Sequence, residues 1–244
     1  MVYPRAHSYW IWAGTDNRKK VRFELNPWWW WSEEGYRQTR GWWTRLTLRP
    51  TNALNINFTG SVSRTTNEMQ YVSTENVNNE DQYLIGKIDQ TTYNLSFRLT
   101  YVLTPNLSIQ YWGQPFAASG RYSNFKRVTN ASASEYENRF DRLSSNLNEE
   151  TGMVDIDNNG DGMTDYSIDN PNFNFTQFQS NMVLRWEYIP GSTLFLVWTQ
   201  SRFEEPDTNK RSFDHLYTSL FDKYQTERIS DQNSKRSMPP NGIF

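Results

Sequence analysis

The sequence at residues 93–103, YNLSFRLTYVL, decides the fold, because its side chains alternate between apolar and polar with a period of two. The intervening positions are polar except for Val102. Successive side chains of a strand point to opposite sides of a sheet, so the pattern predicts a strand with one apolar and one polar face. The apolar positions are Tyr93, Leu95, Phe97, Leu99, Tyr101 and Leu103.

A tight turn follows this strand, and the same alternation resumes beyond it. Pro105 and Asn106 interrupt the pattern, after which Leu107, Ile109 and Tyr111 alternate with polar residues. Proline and asparagine favour turns for backbone reasons, so the sequence predicts a hairpin here. In all, the alternating runs predict about eight strands, at roughly 8–14, 20–31, 41–49, 53–63, 83–103, 107–116, 173–189 and 193–203.

The predicted connections alternate between short and long. Tight turns join some neighbouring strands, whereas hydrophilic segments at 32–40, 63–81 and 113–172 join others. This alternation places the tight turns at one end of the sheet and the extended loops at the other. Transmembrane barrels of the bacterial outer membrane have this asymmetry. The segment at 113–172 is accordingly predicted to be a long outer loop.

Composition favours a membrane barrel over a soluble sandwich. The chain of 244 residues contains 11 Trp, 14 Tyr and 14 Phe, yet its mean hydropathy is −0.84. Aromatic girdles combined with a polar interior produce this balance. A net charge of −2 with mixed signs offers no basic surface for nucleic acid. The chain has no cysteine, so it has neither a disulfide framework nor a thiol nucleophile.

We therefore predict an all-β fold: an antiparallel up-and-down transmembrane β-barrel occupying residues 1–244 as a single segment. The first predicted strand begins almost at Met1, and the final run, SKRSMPPNGIF, does not alternate. Residues 206–244 are interpreted as a polar tail or loop that lacks a closing strand. An open edge in lipid leaves backbone groups unpaired at a cost of several kcal/mol each. The expected structure is an incomplete, C-terminal portion of a barrel whose remaining strands lie upstream.

Two blocks of sequence resemble a known family. DQTTYNLSFRLTYVLTPNLSIQYWGQPFAASGRY at 89–122 and DYSIDNPNFNFTQFQSNMVLRWEYIPGSTLFLVWTQSR at 165–202 resemble the C-terminal domain of an outer-membrane family known as domain of unknown function 5916. The resemblance implies a β-barrel in the outer membrane of a Gram-negative bacterium, with outer-membrane lipid as its surroundings. It also implies an upstream carbohydrate-binding module of the family 9 type in the full-length protein. The family's C-terminal strand has no counterpart in this sequence after Tyr224.

The segment at 155–165, DIDNNGDGMTD, has the spacing of a calcium loop. Counted from Asp157, oxygen-bearing side chains fall at positions one, three, five and nine, and Gly162 falls at the sharp turn at position six. Met163 would offer its backbone carbonyl at position seven. The predicted calcium ligands are Asp155, Asp157, Asn159, Asp161, Met163 and Asp165.

Two features of this motif leave an alternative open. Position twelve is Ile168 when counted from Asp157, and Tyr166 when counted from Asp155, so the usual bidentate acid is absent. An acidic turn rich in glycine and asparagine also exists without any ion. If calcium binds, its role would be to stiffen the long outer loop by offsetting the entropy lost on ordering.

Tryptophans at 28–31 and 42–43 suggest two interpretations. Four consecutive rings on a strand must divide between its two faces. Rings on the apolar face would belong to an interfacial girdle, where an apolar ring and a polar N–H each find a suitable medium. Rings on the polar face could stack on a glycan ligand. The residues considered for glycan stacking are Trp29, Trp31 and Trp43.

The sequence carries no catalytic constellation that we recognise. His7 and His215 lie near opposite ends of the chain, and the adjacent acids Glu33 and Glu34 lie in a hydrophilic segment. The chain is therefore predicted to have a structural or transport role at the cell surface, linked to glycan or nutrient handling. The alternative is a secreted, calcium-stiffened β-sandwich that binds or hydrolyses polysaccharide, because an apolar strand face also suits a sandwich core.

Overall fold

The computed structural model describes residues 5–77 and 79–205, so the predicted tail at 206–244 lies outside the described residues. Nearly all of this part of the chain is β-structure. The strands are β1 (Ala6–Trp10), β2 (Ala13–Gly14), β3 (Val21–Ser32), β4 (Arg37–Thr51), β5 (Leu54–Val77), β6 (Glu80–Thr104), β7 (Leu107–Val128), β8 (Phe140–Arg142), β9 (Ser144–Leu147), β10 (Val154–Asp157), β11 (Tyr166–Ile168), β12 (Phe173–Ile189) and β13 (Ser192–Glu204). A short 3₁₀ helix, η1 (Tyr136–Arg139), precedes β8.

The main sheet is antiparallel and runs up and down in chain order. Its strands follow the order β1-β3-β4-β5-β6-β7-β12-β13, with β2 beside β3 and β8 beside β7. This confirms the predicted all-β, antiparallel up-and-down architecture. Between residues 5 and 205, the sheet is open, with β1 and β13 at its two edges. No helix in the described chain is both long enough and apolar enough to cross a membrane.

The predicted hairpin turns are present at one end of the sheet. Pro105 and Asn106 join β6 to β7, and the turn at Gly191, with φ of +82°, joins β12 to β13. A two-residue turn at 52–53 likewise joins β4 to β5. Glycine suits the left-handed backbone at position 191 because it has no Cβ to clash there.

The prediction of a long loop at 63–81 is wrong. Strands β5 and β6 continue through this region and meet at a turn that includes Asn79, where φ is +68°. Their hydrophilic side chains hydrogen-bond between the strands: Thr66 donates to Asp89 over 2.7 Å, and Asn76 donates to Asp81 over 2.9 Å. A strand surrounded by water is polar on both faces, so its composition resembles that of a loop.

The prediction of a loop over the whole of 113–172 is also wrong in its first part, because β7 runs to Val128. Small residues on this part of β7 let neighbouring side chains approach closely. A Cβ on Gly120 would collide with the ring of Phe173 on β12. Residues 129–172 form an excursion that pairs with the main sheet through β8 and includes a separate three-stranded sheet in the order β11-β10-β9.

Two buried apolar clusters attach this excursion to the far end of the main sheet. In the first, Val154, Ile156 and Ile168 of the small sheet pack against Leu84 and Phe125 of β6 and β7. In the second, residues from η1 and β8 pack against the main sheet. The buried members of the second cluster are Tyr36, Met69, Ile85 and Phe140. The well-buried core therefore lies beyond the amphipathic part of the sheet rather than within it.

Candidate functional site

The residues predicted to face the membrane share one side of β6. The odd-numbered residues from Tyr93 to Tyr101 lie on one face of the strand. Leu103 follows them, beside a register irregularity near the turn. Phe97 lies opposite Phe58 of β5, with ring centroids 4.9 Å apart, and opposite Gly113 of β7. The predicted parity of this strand therefore corresponds to the register of the sheet.

The apolar face extends across the whole sheet. Many of its large side chains are exposed in the described chain, including Val21, Phe58, Leu95 and Leu196. No described element packs over them. One row of paired residues from β3 to β13 consists of Val21, Leu48, Ile56, Leu99, Tyr111, Met182 and Trp198.

The apolar face shifts steadily along the strands from one edge of the sheet to the other. On β3 its middle is near Pro27, whose row of paired residues reaches β6 at Tyr93. On β13 its middle is near Leu196, whose row reaches β6 at Tyr101. The two rows lie eight residues apart on β6, and β3 and β13 lie six strands apart in the sheet. The apolar zone therefore moves by about 1.3 residues per strand relative to the pairing register, so it crosses the strands obliquely.

The opposite face is polar and carries a buried acid. Glu24 is only 5% exposed, and its carboxylate accepts a 2.7 Å hydrogen bond from Arg22 and lies 3.9 Å from Arg45. Charges this far from water require a partner of opposite sign, which the two guanidinium groups provide. Paired amides continue this face, with Gln114 donating to Asn94 over 2.9 Å.

The tryptophans divide between the two faces. Trp29 and Trp31 lie on the apolar face, where Trp29 is opposite Arg40. Trp43 pairs with Asn26 and lies on the polar face. The three residues considered for glycan stacking therefore do not form one platform.

On the polar face, Trp43 borders an aromatic groove near the β1 edge. The groove has a volume of about 570 Å³ and is lined by Trp10, Trp12, Asn26 and Trp43. Arg45 stacks over Trp43, with its guanidinium carbon 4.8 Å from the ring centroid. The Asn26 amide donates to the carbonyl of Ile11 over 2.7 Å. Flat rings beside amide and guanidinium groups suit a polar ligand that has apolar faces.

The predicted calcium residues form a loop that is closed by its own hydrogen bonds. Asp157 accepts from the amides of Gly160 at 2.6 Å and Gly162 at 2.9 Å. Both glycines have positive φ, +81° and +86°. Asp165 accepts from the amide of Asn158 at 2.7 Å. Where the chain is described, no three acidic or histidine side chains converge as a metal site.

Asp155 and Met163 lie apart from this loop centre. Asp155 accepts from Ser167 at 2.6 Å and from Asn148 at 3.2 Å, so it joins the strands of the small sheet. Met163 has an exposed side chain, and its amide donates to Asp161 over 2.8 Å. In this arrangement the six predicted calcium ligands do not surround a common point, and calcium binding stays a prediction.

Hydrogen bonding shapes the electrostatics of Asp157. Amide hydrogens of Gly162 and other loop residues stabilise the ionised carboxylate and hold its pKa below the ordinary value. The loop therefore depends on the charge of this residue even in the absence of an ion.

Two buried cations join segments that are distant in sequence, and sequence reasoning missed both. Lys126 joins β7 to β5 within the main sheet, whereas Arg139 joins the excursion to the turn before β4. Lys126 is 1% exposed and donates to the Glu68 carbonyl at 2.8 Å and to its carboxylate at 3.0 Å. Arg139 is equally buried and donates to Glu34 over 3.2 Å and to the Ala133 carbonyl over 2.8 Å. These residues have no distinctive spacing in the sequence, and only the burial of their neighbours identifies them.

The residues considered for catalysis have structural partners. His7 lies 3.2 Å from Glu33, and its ring contacts Trp31. Glu34 binds Arg139, so the two adjacent acids are directed to different partners. His215 lies outside the described residues.

The fold and its faces define a class of protein built on one wide, open, up-and-down antiparallel sheet with oppositely polar faces. The family model described as "Domain of unknown function (DUF5916)" matches residues 1–232. The chain therefore belongs to this family, as the sequence resemblance implied. Searches of curated proteins and of solved structures found no match.

Proposed function

We propose that the sheet is part of a transmembrane β-barrel in the outer membrane of a Gram-negative bacterium. The observation that carries this proposal is the broad apolar face, which is exposed and uncovered in the described chain. A soluble sheet would expose a large part of this surface to water, at about 25 cal/mol for each Å². Lipid removes that cost, whereas a sandwich would need a second sheet over the same face.

The oblique course of the apolar zone supports the same proposal. A shift of about 1.3 residues per strand, with a rise of about 3.3 Å per residue and a spacing of about 4.8 Å between strands, corresponds to a tilt of about 40°. Strands of membrane barrels tilt by about 35–45°. The ten steps from Tyr93 to Leu103 then span a height of about 25 Å, which is the height of the apolar band of such barrels.

Closure would come from further strands. Open edges at β1 and β13 would leave backbone groups unpaired in lipid, which is unfavourable by several kcal/mol per group. We propose that upstream strands of the full-length protein complete the barrel, together with the carbohydrate-binding module expected there. The polar face, with Glu24 and its arginines, would then line the lumen.

Membrane fractionation tests this proposal. The protein should sediment with outer membranes, and its folded form should migrate differently from its boiled form on a denaturing gel, because closed barrels resist detergent. Recovery of the protein as a detergent-free soluble monomer would overturn the membrane assignment.

The proposed role at the cell surface is structural or transport-related, with a glycan as ligand. The aromatic groove around Trp43 supports this role, because saccharides present flat apolar faces between polar hydroxyls. Trp43→Ala should weaken glycan binding measured on a glycan array with the detergent-solubilised protein. Trp42→Ala is the matched control, since the neighbouring ring lies on the opposite face. Equal binding by both variants would contradict the glycan groove.

Calcium stays a separate prediction for the loop at 155–165. Its proposed role is to stiffen the excursion outside the membrane. Addition of calcium should then slow proteolysis within 129–172, and the protection should be lost in Asp157→Asn. Identical proteolysis with calcium and with a chelator would contradict it.

A further inference from the structure

We propose that Arg40 and Arg64 form a binding site for the phosphate of a membrane lipid headgroup. This inference rests on the proposed function, because it requires the apolar face to lie in lipid. The two residues pair directly across β4 and β5, so their side chains emerge from the same face of the sheet. That face is the apolar one, since Trp29 lies opposite Arg40 in the next strand.

The pairing of two cations is unfavourable unless an anion joins them. Like charges directly opposite each other on neighbouring strands destabilise the pairing. Both arginines are exposed, and neither side chain forms a hydrogen bond or ion pair with another described residue. The acid nearest in register on this face, Asp89, accepts from Thr66 at 2.7 Å and lies 3.8 Å from Lys87. No described carboxylate therefore neutralises the pair.

The two arginines lie between a polar groove and an apolar groove, both of which they help to line. The groove toward the excursion has a volume of about 430 Å³ and includes Gln38, Asp89 and Thr91. The groove toward the middle of the apolar face has a volume of about 470 Å³ and includes Trp42, Val62 and Tyr93. An amphiphile with phosphate between its polar head and its acyl chains matches this order of polar, cationic and apolar surface.

Arginine is suited to this ligand. Its guanidinium group binds phosphate through two parallel N–H donors. Residues that pair directly across adjacent strands have neighbouring Cβ atoms, so both side chains can reach one phosphate. Tryptophan and tyrosine beside them are typical of the boundary between lipid tails and headgroups. The site lies at the end of the apolar zone that faces the excursion, which in outer-membrane barrels is the external side.

Lipid, rather than free phosphate, is the proposed source of the anion. A free anion would gain nothing from the apolar groove, whereas acyl chains would cover Trp42 and Val62. The site would thus orient the protein relative to one leaflet by binding individual lipid molecules.

Lipid titration of the delipidated, full-length protein in detergent tests this site. Phosphatidylglycerol, whose phosphate lies between a glycerol head and the acyl chains, is the probe, and its retention is counted by native mass spectrometry. R40Q/R64Q should bind about tenfold more weakly, because it loses charge-assisted hydrogen bonds. R18Q/R98Q is the matched control: it removes the same charge from a turn and from the polar face.

Two further measurements distinguish the outcomes. Removal of one arginine should leave thermal stability equal or higher in the absence of lipid, since the like-charge contact is relieved. Inorganic phosphate at the same concentration should not displace phosphatidylglycerol from the wild type. Displacement of the lipid by inorganic phosphate would show that the bound anion need not come from a lipid. Unchanged lipid affinity of R40Q/R64Q in a membrane-inserted protein would overturn the site. A protein that stays soluble without detergent would instead overturn the membrane proposal itself.

Discussion

At the scale of single residues, the side of the sheet on which a residue lies determines what a substitution should do. Phe97 lies near the middle of the apolar face and contacts the rings of Phe58 and Tyr111. Ser96, its neighbour, points to the polar face. Substitutions at these adjacent positions therefore compare the apolar face with the polar face within one strand.

Phe97→Arg should destabilise the folded protein in lipid by about 2–4 kcal/mol, because a charge would lie near the bilayer midplane. Ser96→Arg should be mild, since the polar face keeps charge hydrated. The free energy of unfolding from lipid vesicles, measured by denaturant titration, checks both values. Phe97→Leu is the control for the lost ring contacts, which contribute about 0.5–1.5 kcal/mol per aromatic pair. A larger loss for Ser96→Arg would reverse the assignment of faces.

The Asp157 loop should loosen in acid. The folded pKa of Asp157 lies below the ordinary value of 3.8, so its stabilising effect is complete above pH 3.8 and is lost as the pH falls through the lower folded pKa. Asp157→Asn should loosen the loop at neutral pH, because the neutral amide is a weaker acceptor for the backbone amides of Gly160 and Gly162. Faster hydrogen exchange of these two amides is the expected result. Asp161→Asn should change them less, because the Asp161 carboxylate accepts only one backbone amide, that of Met163, together with the side-chain amide of Asn159. Equal exchange in both variants would contradict the central role of Asp157.

At the scale of elements, the excursion at 129–172 is attached to the main sheet by buried contacts on η1, β8 and the small sheet. Arg139 links η1 to Glu34 in the turn between β3 and β4. Since burial of an unpaired charge is costly, the cation and its partners act as a unit.

Arg139→Ala should free the excursion while leaving the amphipathic sheet intact. The variant loses bonds to Glu34 and to the carbonyls of Ala133 and Ser134, so proteolysis within 129–172 should accelerate. Limited proteolysis followed by peptide mapping measures this change. Arg142→Ala is a suitable control, because Arg142 is exposed and pairs with the equally exposed Glu137. Similar cleavage patterns in the two variants would show that Arg139 does not hold the excursion.

The contact between β7 and β12 depends on the absence of a side chain at Gly120. Gly120→Ala should destabilise the protein by about 1–3 kcal/mol, because the new Cβ would overlap the ring of Phe173. Gly86→Ala should cost less, since an added Cβ there makes ordinary contacts at 3.4 Å or more. Thermal unfolding of both variants provides the comparison, and a greater loss for Gly86→Ala would contradict the packing described.

The sequence predicted the amphipathic parts of the strands and their turns, because a period of two is visible wherever one face is apolar. It failed for the distal parts of β5 and β7, where both faces are polar or the residues are small. Ala117, Ala118 and Ser119 are buried there, yet they have no apolar alternation. The buried roles of Lys126 and Arg139 depend on contacts between segments distant in sequence, so no local pattern could identify them. The division of the tryptophans between faces was predictable, but the location of Trp43 beside Trp10 required the register.

At the scale of the whole molecule, the faces of the sheet and the excursion form a consistent arrangement. The exposed apolar zone crosses the strands obliquely, the polar face carries buried and paired charges, and the small sheet packs at one end. The central claim, which we propose, is that lipid surrounds the apolar zone.

A cysteine scan of residues 93–103 tests this claim most directly. The chain has no native cysteine, so each single-cysteine variant reports one position. With the protein in membranes, a membrane-impermeant maleimide should label positions 94, 96, 98 and 100. Positions 95, 97 and 99 should be protected, and a bimane attached there should be quenched by lipid-borne nitroxide. Labelling of positions 95, 97 and 99 as fast as that of their neighbours, without quenching by lipid, would contradict the account.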